Sequence, residues 1–205
     1  MICYTADSAN EAKLITDIII STDSEEIANL VSKFRVEVPF IRPAELATDT
    51  ASSVDVVIHA VKELSGRGRT YDAVCLLQPT NPFRQNGFID KAIQKFIDAG
   101  TDSLVSVLPV PDEFNPHWIF EANENDTLSI ATGEKEIIRR RQDLPRAFYR
   151  DGSVYLTRTS TVLKDHSLYG NSIGYIINNP DFHVNIDTEK DWEAATELQF
   201  KLMND

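Results

Sequence analysis

Cysteine is scarce in this chain: Cys3 and Cys75 are the two among 205 residues, too few for a disulfide framework, and both are expected to be core thiols. Positive charge is short as well. Lys and Arg number 20 against 32 Asp and Glu, for a formal net charge of −12. That balance argues against nucleic acid and anionic membrane as partners. No apolar run approaches the ~18 residues that a membrane span needs. The opening Met1-Ile2-Cys3-Tyr4-Thr5-Ala6-Asp7 lacks the basic and apolar stretches of a signal peptide, so a cytoplasmic protein is expected. His59, His117, His166 and His183 show no metal-ligand spacing. The glycines are scattered and form no phosphate-cradling loop. Repeats and low-complexity segments are absent too.

What is present is an alternation of short apolar runs with amphipathic stretches. The length suits a single domain over 1–205. The first dozen residues read as a helix with Ile2, Ala6, Ala9 and Leu14 on one face. Asp17-Ile18-Ile19-Ile20-Ser21 reads as a strand buried on both sides. Thr22-x-x-Glu25 has capping-box spacing, and Ile27, Leu30, Val31 and Phe34 give the following helix a core face. Val36 to Phe40 is a short strand. Ser52 opens a helix carrying Val54, Val57, Ile58, Val61 and Leu64, and Asp72 to Leu77 is another buried strand. A helix from about Gly87 stops at Gly100, and a strand follows from Ser103 to Val110. Strands near Gly152 to Thr157 and Ile173 to Ile177 come later. The last helix starts at Thr188 with Asp191 three residues on, and Trp192, Ala195 and Leu202 inward. This rhythm predicts an α/β fold with a mainly parallel sheet between two helical layers. No strand precedes the first helix, so the first strand of a doubly wound sheet has no counterpart here.

The rhythm breaks over about 111–146, which reads as an arm. Residues 134–150 hold six Lys or Arg against three Asp or Glu, a basic island on an acidic body. Such an island suits a compact anion.

Two segments lie where parallel sheets bind ligands, at the carboxyl ends of strands: Arg42-Pro43-Ala44-Glu45-Leu46-Ala47-Thr48-Asp49-Thr50-Ala51-Ser52-Ser53 and Leu77-Gln78-Pro79-Thr80-Asn81-Pro82-Phe83-Arg84. A third is Asn185-Ile186-Asp187-Thr188-Glu189-Lys190-Asp191-Trp192. Read alone, Arg42 suits a turn cap, Ser52 and Ser53 suit helix caps, and the Gln78 loop suits a proline-stiffened connection. Together with Arg140-Arg141-Gln142-Asp143-Leu144-Pro145 and Gly152-Ser153-Val154-Tyr155, these strings resemble the acylneuraminate (CMP-sialic acid synthetase) family of cytidylyltransferases. The likeness runs in order along nearly the whole chain. Gln78-Pro79-Thr80 stands where Kdo-type relatives usually carry an acidic string, which favours a nonulosonic acid.

The resemblance implies a three-layer Rossmann-like nucleotidyltransferase fold with a dimerisation arm. It implies attack of a nonulosonic acid's anomeric hydroxyl on the α-phosphate of CTP, with release of pyrophosphate and with Mg²⁺ as cofactor. Arg42, Ser53 and Thr80 match nucleotide-binding positions. Gln78, Arg141 and Gln142 match acceptor-sugar positions, and the basic island is expected to meet the sugar carboxylate. Asp187 matches a Mg²⁺ ligand, with Asn185 beside it where the family often has a second Asp. Partners implied are CTP, an acid of the N-acetylneuraminate, legionaminate or pseudaminate type, and a second copy of the chain. The family's opening strand and "PARGGSKGIPxKN" phosphate loop match nothing from Met1 onward. The expectation is therefore a truncated member with little or no turnover. The alternatives are a non-catalytic nucleotide- or sugar-binding or dimer-forming relative, and a transferase for another nucleotide sugar.

Overall fold

The computed structural model describes residues 1–204. Six helices occur among them: α1 (Ile2–Glu11), α2 (Glu25–Val31), α3 (Ser53–Gly66), α4 (Phe88–Ala99), α5 (Thr159–Asp165) and α6 (Glu189–Asn204). Four strands form the main sheet: β1 (Ala73–Leu76), β2 (Ser103–Pro109), β5 (Phe148–Arg158) and β6 (Ile173–Ile177), in the order β1-β5-β2-β6. A separate hairpin pairs β3 (Phe120–Ala122) with β4 (Leu128–Ile130). β5 is antiparallel to both of its neighbours and β6 is parallel to β2. Thus β1, β2 and β6 all run one way and β5 alone runs against them, so the sheet is mixed, with parallel strands on either side of the reversed one.

Helices cover both faces. Phe88, Ile89, Ala92 and Phe96 of α4 pack on Leu104, Val154 and Leu156, with Ala73 and Cys75 beside them. On the opposite face, Val57 and Val61 of α3 and Val162 of α5 meet Val74 and Leu76. Alternate residues of β1 therefore feed different cores, as the period of two requires. This three-layer α/β/α arrangement is the expected fold class. Burial pushes the Cys75 thiol up to about 12, as suits an unreactive side chain packed against the core.

Local chemistry explains most element ends. Ser52 caps α3, its hydroxyl accepting from Asp55 N at 3.2 Å. Gly100 ends α4 in the left-handed region at φ 64, where a side chain is disfavoured. At α6, the Asp191 carboxylate accepts from Thr188 N at 2.9 Å, while Asp191 N donates to Thr188 Oγ1 at 3.3 Å. That is the reciprocal box expected from the spacing.

Several expectations are corrected. The 17–21 run is not a strand buried on both sides. It makes isolated parallel bridges, Ile19 to Glu37 and Thr22 to Ile41, and Ile18, Ile19 and Ile20 are half-buried. Val36 to Phe40 likewise forms no strand and contributes Glu37 to the first of these bridges. β1 is half-buried throughout because it is the outermost strand of its sheet. α2 is capped by Ser24 rather than by Thr22, whose hydroxyl instead accepts from Ser24 N at 3.1 Å. Only Val31 on α2 is buried, and Ile27 and Leu30 are exposed; α1 is the element that α2 packs on most. Leu14 lies beyond α1 and is exposed, and so is Trp192 on α6, where Ala195 is the buried residue.

Candidate active site

The site grows from the loop after β1. Asn81 N donates to Gln78 O at 3.2 Å, closing a turn between Pro79 and Pro82. Arg84 then folds back beneath it, with 8% of its surface exposed. Its guanidinium donates to Gln78 O at 3.0 Å, to Ser153 O at 3.0 Å and to Thr5 Oγ1 at 3.3 Å. Burial pulls its pKa down to about 10, so the group stays charged at neutral pH. One buried cation thus ties this loop to β5 and to α1.

β5 meets the loop through an irregularity. Val105 stands opposite Tyr155, but Val107 stands opposite Arg150, so Asp151 to Val154 bulge outward against Ser106 alone. Asp151 is only 2% exposed. Its carboxylate accepts from Ser153 N at 3.0 Å, from Asn178 Nδ2 at 2.6 Å and from the Ser106 hydroxyl. Ser106 in turn accepts from Val154 N at 2.7 Å. Three donors thus meet this buried carboxyl group, as a desolvated polar group requires.

At the crest of the bulge, Gly152 has φ 82. A Cβ there would sit 3.2 Å from Gln78 Oε1 and 4.0 Å from both Asn185 Oδ1 and Asn81 Nδ2. Three carboxamides thus gather about one bare Cα. Asn81 is fully buried and donates from Nδ2 to Asp151 O at 2.7 Å and to His183 Nδ1 at 3.1 Å. Burial holds the His183 pKa below the ordinary histidine value, against the opposing charge of Asp151. The neutral ring can then accept at Nδ1.

The C-terminal segment completes the cluster. Ile186 N donates to Thr80 O at 2.8 Å, joining 185–187 to the Gln78 loop. Asn185 Nδ2 donates to the Asp187 carboxylate, and both residues are exposed. Asp191 is occupied with capping: the Thr188 hydroxyl, then Asp187 N, hold its carboxyl below the usual range. No group of three or more His, Cys, Asp or Glu among the described residues could hold a metal ion. Asn185 turns Nδ2 toward Asp187 and Oδ1 toward Gly152, so the exposed Asp187 carboxylate is the hard-oxygen donor this segment presents. A single carboxylate fits Mg²⁺, which commonly takes one or two protein ligands and fills its shell with water and substrate phosphates.

The other expected site residues lie elsewhere. Arg42 N donates to Thr22 O at 2.8 Å and its guanidinium pairs with Asp23 at 3.2 Å. The Arg42 Nε is buried without a partner, an open donor for a ligand acceptor. Ser53 is the first residue of α3 and is exposed. Arg141 and Gln142 are exposed on a 3₁₀ turn of the arm, with Arg141 paired to Asp112. Arg140 pairs with Asp143 at 2.7 Å, so part of the basic island is neutralised within the arm itself. The structure brings Gln78, Thr80, Asn185 and Asp187 together, and no hydrogen bond or ion pair among the described residues links Arg42, Ser53, Arg141 or Gln142 to them. Sequence reasoning passed over Asn81, Arg84, Asp151 and His183. Asn81 and Arg84 stand inside a recognised string, but their burial has no sequence signal.

This geometry is that of a nucleotidyltransferase fold, and the chain belongs to the cytidylyltransferase family, whose model matches residues 1–203. It is 28% identical over 195 residues to the pseudaminic acid cytidylyltransferase of Campylobacter jejuni, covering 95% of this chain and 83% of that one. It is 27% identical over 199 residues to the CMP-N,N'-diacetyllegionaminic acid synthase of Legionella pneumophila, covering 97% and 84%. Among solved structures, a CMP:2-keto-3-deoxy-manno-octonic acid synthetase complexed with CTP superposes with a TM-score of 0.67 at 15% identity, covering 98% of this chain and 87% of that one. The last likeness speaks for the fold.

Proposed function

We propose that this cytidylyltransferase joins CMP from CTP to the anomeric hydroxyl of a nonulosonic acid of the pseudaminate or legionaminate type. The observation that carries the reading is the convergence of Gln78, Thr80, Asn185 and Asp187 on one site, within a chain whose residues 1–203 match the family model. In the reaction, a bond forms between the anomeric oxygen and the α-phosphorus, and the bond from that phosphorus to the β-bridging oxygen breaks. Pyrophosphate carries away the electron pair, and the hydroxyl proton is released to solvent.

Arg42, with its unpartnered Nε, and Ser53, at the start of α3, are the residues that would hold the nucleotide base, with Thr80 near the nucleotide. Gln78 would hold the acceptor sugar. Arg141 and Gln142 would reach the acceptor's carboxylate from the arm, which requires Arg141 to exchange Asp112 for the ligand. Asp187 would hold Mg²⁺, with Asn185 steadying its carboxylate through Nδ2. When bound, that ion supplies positive charge that offsets the charge building on the phosphates.

The arm supports a homodimer. It exposes Phe114, Ile119, Phe120, Leu128 and Ile137, an apolar surface that a second copy would cover. No described helix is long and apolar enough to cross a membrane, and a cytoplasmic setting, where CTP is made, suits the reaction.

The test is incubation with CTP, Mg²⁺ and, in turn, pseudaminate, legionaminate, N-acetylneuraminate and Kdo, following the CMP-acid and pyrophosphate. A CMP-acid from pseudaminate or legionaminate is the expected product, in place of the little or no turnover that the unmatched phosphate loop suggested, because the family match and the named relatives favour the transfer reaction. Preference for Kdo overturns the acceptor assignment, and absence of both CTP binding and product overturns the reading as a whole.

A further inference from the structure

Gln78 is the residue proposed to meet the acceptor, yet its own side chain makes no recorded hydrogen bond. What places it is the frame around it. Arg84 holds the main chain of Gln78 through a 3.0 Å bond to its carbonyl oxygen, and the same guanidinium holds Ser153 O at 3.0 Å across the bulge. The spacing between the Gln78 loop and β5 is therefore set by one planar group with donors at fixed angles. A lysine, being a single point of charge on a flexible stem, cannot span both oxygens in that way.

The bulge supplies the other wall. Asp151 fixes its shape through Ser106, Ser153 and Asn178. The bulge then presents Gly152 without a Cβ, and Gln78 Oε1 lies where a Cβ would be only 3.2 Å away. That separation is tighter than ordinary van der Waals contact, so an added methyl must push the Gln78 carboxamide aside by a few tenths of an ångström. Asn81 and Asn185, each 4.0 Å from the same point, limit where it can go.

We infer that Arg84 and Gly152 are positioning residues for acceptor recognition: the buried guanidinium and the bare Cα together set where the Gln78 carboxamide meets the sugar. They touch neither substrate; they act through Gln78. The inference rests on the reading of Gln78 as an acceptor contact. A displaced carboxamide weakens the acceptor's grip and disturbs the CTP side far less: no hydrogen bond or ion pair among the described residues joins Arg42 or Ser53 to this frame, and the added Cβ stands 4.0 Å from Asn185 Oδ1, an ordinary contact, against 3.2 Å from Gln78 Oε1.

The test combines Gly152→Ala, Arg84→Lys, Gln78→Ala and the Gln78→Ala/Gly152→Ala pair in the full chain. It reads KM for the acid and for CTP, together with the side-chain amide NMR signals of Gln78 and the thermal unfolding midpoint. Gly152→Ala is expected to raise KM for the acid roughly tenfold, with KM for CTP within about twofold and the Gln78 amide signals shifted. In the Gln78→Ala background the same glycine change is expected to raise the acid KM clearly less, since the displaced group is gone and only the strain of a side chain at φ 82 remains. Arg84→Lys is expected to raise the acid KM with the same selectivity, to a smaller degree. Unshifted Gln78 signals in Gly152→Ala overturn the inference, as does an equal glycine effect in both backgrounds or a parallel rise in both KM values. If the unsubstituted protein uses no acid at all, the functional reading has failed, and the NMR signals still decide whether the frame positions Gln78.

Discussion

Asp187 is the carboxylate on which the metal proposal turns. Its oxygens compete with solvent only through Asn185, so removal should act on metal use and not on folding. Asp187→Ala is expected to lower turnover by at least about a hundredfold at fixed Mg²⁺, with the unfolding midpoint unchanged. Titrating Mg²⁺ against rate checks this, and an unaltered Mg²⁺ dependence rejects the assignment. His183 carries a different expectation. Burial holds its folded pKa below the unfolded value of about 6.5, so the unfolded chain binds the proton more readily. The contribution of His183 is fully present above pH 6.5 or so and is lost as pH falls toward the depressed folded value. Protonation also removes the Nδ1 acceptor that Asn81 uses. Urea unfolding across pH 5 to 7.5 or thereabouts should show stability falling on the acid side, and His183→Gln should flatten that slope. An unchanged slope in the variant would assign it elsewhere.

Helix ends were the most legible elements, because a cap is a property of four or five adjacent residues. Ser52 and the Thr188–Asp191 box fell where their spacing put them, and Gly100 closes α4 at positive φ. Ser52→Ala is expected to cost about 1 kcal/mol, visible as a lower urea midpoint with an unchanged slope. A midpoint shift below a few tenths of a kcal/mol would show that Asp55 caps α3 unaided. Gly100→Ala meets no atom within 4 Å, so its expected cost of about 1 kcal/mol is purely that of the left-handed backbone. Thr22 shows the limit of such reasoning. Its spacing to Glu25 is right, but Ser24 stands closer to the helix and takes the role. The bulge at Asp151 to Val154 was not legible at all, since a register shift belongs to a strand pair and not to one strand.

For the molecule as a whole, the open flank of β1 is the most testable feature. Thr159 N donates to Asp72 O, and the antiparallel alternation then turns the Val74 amide toward β5 and the Cys75 amide toward the open edge. Native-state hydrogen exchange is expected to protect Val74 strongly and Cys75 much less. Equal protection would mean that something pairs along that edge in solution. At the other end of the molecule, Leu128 on β4 is 66% exposed on the proposed dimer face. Leu128→Glu is expected to shift sedimentation from dimer to monomer without lowering the unfolding midpoint; an unchanged sedimentation profile would place the interface elsewhere.

The amino-acid order by itself determined the alternation of helix and strand, most of the caps, the family, and the separate strings at Arg42, Gln78 and Asn185. Each of these is written in periodicity or in contiguous side chains. Tertiary structure alone decided that β5 inserts in reverse between β1 and β2, that the Ile18–Ile20 run is half-buried, and that Arg84 and Asp151 are buried beneath the site. Those outcomes depend on which segments lie beside one another. An arginine reads the same in a sequence whether it waves in water or, as Arg84 does, ties α1, the Gln78 loop and β5 together.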